Sequence, residues 1–225
     1  MILHEFESRA ELMTALADKV AERLGGDIAQ NGTASLAVPG GSTPGPFFDA
    51  LSEKDIDWAS VSVTLGDERF VPEDSDRSNT RLLKERLIQN NASKANLIKL
   101  YQEADEPEDV MSDLIAQFSD ALPLSVNVLG MGADMHTASL FPDSAELADA
   151  LNSDQILAVV RPESQPEARL TLTGKVLAQA GSIFVLITGA EKKEALERAA
   201  QIADPMIAPI SLVLGLQQTE VFYAP

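Results

Sequence analysis

The sequence predicts an α/β fold, a mostly parallel sheet covered by helices on both faces. Short apolar runs, among them Ala34–Val38, Val61–Leu65, 126–129 and 183–187, alternate with stretches of helical periodicity. These runs are continuously apolar rather than alternating, which marks strands buried on both sides. The turns that follow them are glycine-rich, at Gly40-Gly41, Gly66, Gly130 with Gly132, and Gly189. Ligands of open α/β sheets bind beyond the carboxyl ends of the strands, where such turns lie.

The elements follow in order. Ser8-Arg9-Ala10-Glu11 is a capping box, with Leu12, Leu16, Val20 and Leu24 at helical spacing behind it. Gly25-Gly26 is the expected end of that helix. Residues 34–38 form a buried strand that feeds Pro39-Gly40-Gly41-Ser42-Thr43-Pro44, and Phe47, Phe48 and Leu51 suit a helix after the turn. Residues 61–65 form the next strand, with Gly66-Asp67-Glu68-Arg69 as a loop at its end. Helices are expected over 78–88 and 107–121, and a short strand over 97–100. Residues 126–129 form a central strand, 156–160 and 170–172 are extended, and 183–187 form a strong buried strand before a helix over 191–200. Strands over 210–214 and 221–223 close the chain.

At 225 residues with 45% apolar content, the expectation is one domain spanning residues 1–225. A formal net charge of -18 repels phosphate backbones, so no nucleic-acid partner is expected. It equally repels a small anion, which would need a local cluster of Arg or Lys. The chain has no cysteine and only two histidines, His4 and His136. Disulfides and thiolate chemistry are excluded, and a His-rich zinc site is not expected. The first residues lack a signal-peptide pattern, and the longest apolar run is too short to span a bilayer. The expectation is a cytoplasmic protein without a membrane partner. Oligomeric state is not encoded in any recognisable pattern.

Four segments carry candidate chemistry. Gly40-Gly41-Ser42-Thr43-Pro44 lies between a strand and a helix. It is either an anion loop of backbone N–H groups and hydroxyls, or a plain turn with Ser42 or Thr43 as the helix cap. It is not a Walker loop or a hydrolase elbow, because neither Gly-Lys-Ser/Thr nor a second elbow glycine follows. Asp67 and Arg69 could share one cleft or form a surface charge cluster. Asp134 and His136 form the sharpest pair: a carboxylate and an imidazole in a polar turn after a strand, where catalytic groups collect. Arg169 opens an extended segment, and Lys192 and Lys193 compete for one inward position after strand 183–187.

Read in order, these segments resemble the 6-phosphogluconolactonase family, in the superfamily that also holds glucosamine-6-phosphate isomerases and deaminases. The resemblance rests on Pro39-Gly40-Gly41-Ser42-Thr43-Pro44, Asp67-Glu68-Arg69, Ser78-Asn79, Gly130-x-Gly132-x-Asp134-x-His136-Thr137-Ala138-Ser139-Leu140-Phe141-Pro142, Arg169-x-Thr171-Leu172-Thr173 and Gly189-x-x-Lys192. It implies a modified Rossmann-like sheet and hydrolysis of 6-phospho-D-glucono-1,5-lactone to 6-phospho-D-gluconate, without choosing between pentose-phosphate and Entner–Doudoroff use of the product. By the same resemblance, Gly41, Ser42 and Thr43 hold the phosphate with Arg169 and Lys192. His136 is the general base on water, Arg69 orients the substrate or stabilises the oxyanion, and Asp67 and Asp134 are carboxylates of the active-site turns. The implied partner is a phosphorylated sugar lactone, with no cofactor and no metal. The family pattern has glycine where Met135 stands, which strains the turn if that residue needs a positive φ. The isomerase branch carries a glutamate where this chain has Phe141, which leaves ring-opening isomerisation without a proton carrier. A hexosamine-phosphate isomerase or deaminase, or a non-catalytic sugar-phosphate sensor, are the alternative readings.

Overall fold

Apolar runs with no polar alternation pair with one another, and here they build one parallel sheet. The computed structural model describes residues 2–225. In chain order the elements are β1 (Ile2–Glu5), α1 (Arg9–Asn31), β2 (Ala34–Val38), α2 (Gly45–Ser52), β3 (Val61–Leu65), β4 (Asp67–Arg69), α3 (Asn79–Arg86), β5 (Asn96–Leu97), α4 (Met111–Ala116), β6 (Val126–Gly130), α5 (Leu147–Asn152), β7 (Leu157–Val160), β8 (Arg169–Leu172), α6 (Gly174–Ala178), β9 (Ser182–Thr188), α7 (Ala190–Ile202), α8 (Ser211–Leu214) and β10 (Thr219–Ala224). The main sheet has seven strands in the order β1-β10-β9-β6-β2-β3-β5, every pair parallel. Helices α1, α2 and α3 pack in one group, and α5, α6, α7 and α8 in another. Strand β2 is buried along its whole length and β9 over its five central residues, as a sheet covered on both faces requires. The α/β class read from the sequence is the one observed.

The order of the strands positions the site. The chain runs outward from β2 through β3 to β5, then returns to place β6 on the other side of β2. The turns after β2 and β6 therefore diverge. This is the switch point at which open α/β sheets form their crevice.

Several local expectations need correction. Helix α1 does not stop at Gly25-Gly26 but continues to Asn31 and ends at Gly32, whose φ is 81° and whose N–H bonds Ile28 O. Gly25 and Gly26 lie in ordinary helical backbone, and the buried stripe Leu12, Leu16, Val20 and Leu24 outweighs their low propensity. Residues 210–214 are not a strand. They form α8, because a short apolar run does not distinguish a strand from a buried helical turn. The expected helix over 107–121 is a 3-10 turn, Pro107–Val110, followed by the short α4. The strand expected over 97–100 is limited to β5.

The largest correction concerns 67–69, read as a loop; the extended segments expected over 156–160 and 170–172 are strands β7 and β8. Together with 67–69 they form a separate antiparallel sheet, β4-β8-β7, which stands over the C-terminal edge of the main one. The supposed loop Asp67-Glu68-Arg69 is thus β4, which continues β3 past Gly66 as an edge strand of the second sheet. Strand β1 and helices α5 and α6 carried no periodic signal long enough to be read.

Candidate active site

Side chains from both sheets meet in a cleft of about 270 Å³ at the C-terminal edge of β2, β3, β6 and β9. Its lining includes Gly41, Ser42, Thr43, Asp67, Arg69, His136, Arg169 and Lys192, eight of the nine residues singled out in the sequence. The ninth, Asp134, stands behind His136. In a chain of net charge -18, the cleft gathers three cationic side chains against one carboxylate.

The His136 turn is built by close backbone approach. Gly132 N–H bonds His136 O at 3.0 Å, and Met135 N–H bonds Gly132 O at 3.0 Å. A Cβ on Gly132 would lie 2.3 Å from both Asp134 Oδ1 and His136 Nδ1, so only glycine lets the two side chains meet there. They meet through Nδ1 and Oδ1 at 2.6 Å, and the same oxygen accepts His136 N–H at 3.2 Å. Burial raises the Asp134 pKa, but the hydrogen bond and charge of His136 outweigh it and hold the carboxyl below its ordinary range. One face of the imidazole stacks on Phe141, with ring centroids 4.2 Å apart and planes 29° apart. The ring is thus fixed by its edge and by its face, with Nε2 left for chemistry. Met135 does adopt positive φ, 69°, the strained case considered for it.

The carboxylate and the guanidinium groups follow from strand alternation. In β4, Asp67 and Arg69 share the face that lines the cleft, and Glu68 points to the other. Asp67 is buried, accepts a short hydrogen bond from the Ser139 hydroxyl, and lies 3.7 Å from Arg169 Nη1. Arg169 is buried on β8, where Arg69 is its cross-strand partner. It donates from Nη2 to Gln165 and lies over the Phe141 ring, 5.6 Å from its centroid. Burial pushes its pKa below the ordinary guanidinium value and Arg69 and Arg77 add to that, while the charge of Asp67 opposes it. Arg69 donates from Nη1 to Arg77 O at 2.6 Å. The Nε–H groups of Arg69 and Arg169 are both buried and have no partner among the described residues.

Geometry places the two lysines and the hydroxyls of the turn after β2. Lys192, half-buried, lines the cleft, and burial lowers its ammonium pKa. Lys193 turns away to pair with Glu5. Helix α2 is capped by Pro44 with no side-chain bond, so Ser42 and Thr43 do not serve as its cap and stand in the cleft wall.

Sequence reading gave no role to Glu68, although it is fully buried. Its two oxygens accept N–H bonds from Arg69, Asn79 and Thr80 at 2.9, 2.8 and 2.6 Å, plus the Ser78 hydroxyl. Desolvation nonetheless leaves its pKa raised. The two-residue alternation of Asp67 and Arg69 was the available signal that Glu68 faces inward.

The chain matches the family model of glucosamine-6-phosphate isomerases/6-phosphogluconolactonase over residues 7–223. It belongs to that family. Among its relatives, a 6-phosphogluconolactonase of Mesorhizobium japonicum is 48% identical over 98% of this chain and 94% of its own length. A 6-phosphogluconolactonase of Rhizobium meliloti is 42% identical, covering 99% of this chain and 98% of its own. The crystal structure of a 6-phosphogluconolactonase from Shewanella baltica superposes with a TM-score of 0.95 at 36% identity, covering 100% of this chain and 97% of the other. The family's sheet is therefore the sheet described above. Among the described residues no helix is long and apolar enough to cross a membrane.

Proposed function

We propose that this chain hydrolyses 6-phospho-D-glucono-1,5-lactone to 6-phospho-D-gluconate, with His136 as general base. Its relatives of 42% and 48% identity are named 6-phosphogluconolactonases and align over 99% and 98% of this chain. The single observation that carries the mechanism is the Asp134–His136 pair at the lip of a cationic cleft.

The lactone's phosphate sits against the backbone and hydroxyls of Gly41, Ser42 and Thr43, with Arg169 and Lys192 as charge partners. That anchorage places C1 near His136. With Nδ1–H donated to Asp134, Nε2 takes a proton from water as its oxygen attacks C1. The Arg69 guanidinium, or the N–H groups of the glycine turn, meets the charge that develops on the carbonyl oxygen. The tetrahedral intermediate collapses, the bond from C1 to the ring oxygen breaks, and His136 returns its proton to that oxygen. The new carboxylic acid releases its proton to solvent. No covalent nucleophile or cofactor takes part. Asp67, held by Ser139, balances Arg169 so that a buried cation faces the substrate without leaving the wall.

Phe141 supports hydrolysis over isomerisation. It stacks on His136 and has no group that carries a proton. The test is acid release from freshly prepared lactone, or a coupled assay for 6-phosphogluconate. Turnover well above spontaneous hydrolysis is expected. A rate equal to that of buffer, or release of ammonia from glucosamine 6-phosphate, sinks the reading.

A further inference from the structure

The phosphate-loop backbone needs a rigid support, and one side chain supplies it. Asn79 is the first residue of α3 and is buried, with its carboxamide at the cleft wall. Its Oδ1 accepts Gly41 N–H at 3.3 Å, and its Nδ2 donates to Asp67 O at 3.1 Å. One amide thereby joins the turn after β2 to the first residue of β4. The amide is itself held from below, because Asn79 N–H is one of the unpaired donors of a helix start and bonds Glu68 at 2.8 Å. Gly40 shows how tight the contact is. A Cβ there would lie 2.1 Å from both Cγ and Nδ2 of Asn79, so the loop rests directly on the carboxamide.

We propose that Asn79 is a positioning residue that sets the shape of the anion loop and so governs affinity for the phosphate end of the substrate. It takes no part in proton transfer. Its reach covers Gly41 and the Asp67 backbone but not the Asp134–His136 pair. The inference rests on the lactonase reading for its kinetic readout, though not for its binding readout.

The experiment compares wild type with Asn79→Ala in the full chain. For the phosphorylated lactone, KM rises about tenfold or more while kcat stays within about threefold, since misplacing a binding group weakens anchorage before chemistry. Loss of folded protein would do the reverse, lowering kcat at constant KM. Affinity for inorganic phosphate, measured by calorimetry, falls in parallel. Gly40→Ala, which pushes the loop off an intact Asn79, gives the same KM rise and covers the case in which Asn79→Ala does not fold. In a variant shown to be folded, unchanged KM and unchanged phosphate affinity, with or without a fall in kcat, overturn the proposal. A wild type that binds phosphate more tightly than Asn79→Ala yet does not hydrolyse the lactone overturns the lactonase reading and leaves this one standing.

Discussion

Met135 tests how much strain the His136 turn tolerates. Its φ of 69° is a conformation that disfavours side chains, and its carbonyl accepts Ile210 N–H at 3.1 Å, which ties the turn to the segment before α8. Replacing it with glycine removes strain of about 1 kcal/mol but frees the unfolded chain and deletes apolar packing by a similar amount. Met135→Gly is therefore expected to keep kcat within about threefold and stability within about 1 kcal/mol, read by steady-state rates and a denaturant melt. Met135→Val, branched at Cβ, is expected to lose more than about 1 kcal/mol. Arg169→Ala should raise KM for the phosphorylated lactone by about tenfold or more with a smaller change in kcat, and Arg169→Lys should not restore it, because an ammonium lacks the planar fork. An unchanged KM would remove Arg169 from the phosphate site. At this scale the sequence was readable where residue type is rare or position is unusual. His136 is one of two histidines, and Arg169 and Lys192 are bases in an acidic chain. Glu68 escaped notice because a glutamate between two other charges looks like solvated surface, and the alternation that turns it inward applies only once residues 67–69 pair with β8 as a strand.

Elements were readable where periodicity ran long. The capping box at Ser8 and the stripe from Leu12 to Leu24 announce α1, and Ser8 does accept Glu11 N–H. The end of α1 was missed because glycine pairs usually stop helices, whereas packing of the preceding turns carries this helix through them. Gly26 has open space around its missing Cβ. Gly26→Ala should thus stabilise the protein by about 0.5–1 kcal/mol, seen as a rise of roughly 1–4 °C in Tm. A fall in Tm would mean that the glycine is needed for a contact or bend. Short elements such as β5 and α8 carry too few residues for any period to show, and tertiary packing decides them. Glu73 accepts hydrogen bonds from Lys84 of α3 and from Lys99, which follows β5, and these pairs hold its pKa below 4.5. A depressed carboxyl pKa contributes stability that is present above the unfolded value and lost as pH falls through the folded one. The stability gap between wild type and Glu73→Gln should accordingly be larger at pH 7 than near pH 3.5. A gap that does not shrink on acidification would show that the lysine pairs contribute nothing.

For the whole molecule, the parallel sheet followed from apolar runs and glycine turns. The second sheet did not. Strands β4, β7 and β8 are three to four residues long, and the antiparallel pairing of β4 with β8, about 100 residues apart, leaves no local trace. That sheet matters for function, because it brings Arg69 and Arg169 opposite the turns of β2 and β6 and so concentrates positive charge within an acidic envelope. The joint result is a cleft in which one sheet supplies the Gly41-Ser42-Thr43 turn and the imidazole, and the other supplies the guanidinium groups. The most direct test is the kinetics of His136→Ala with freshly made 6-phospho-D-glucono-1,5-lactone near neutral pH. Wild type should turn over the lactone, and the variant should lose kcat by about 10²–10⁴-fold with KM little changed. A variant with full kcat would contradict the assignment of His136 as the base on which the mechanism turns.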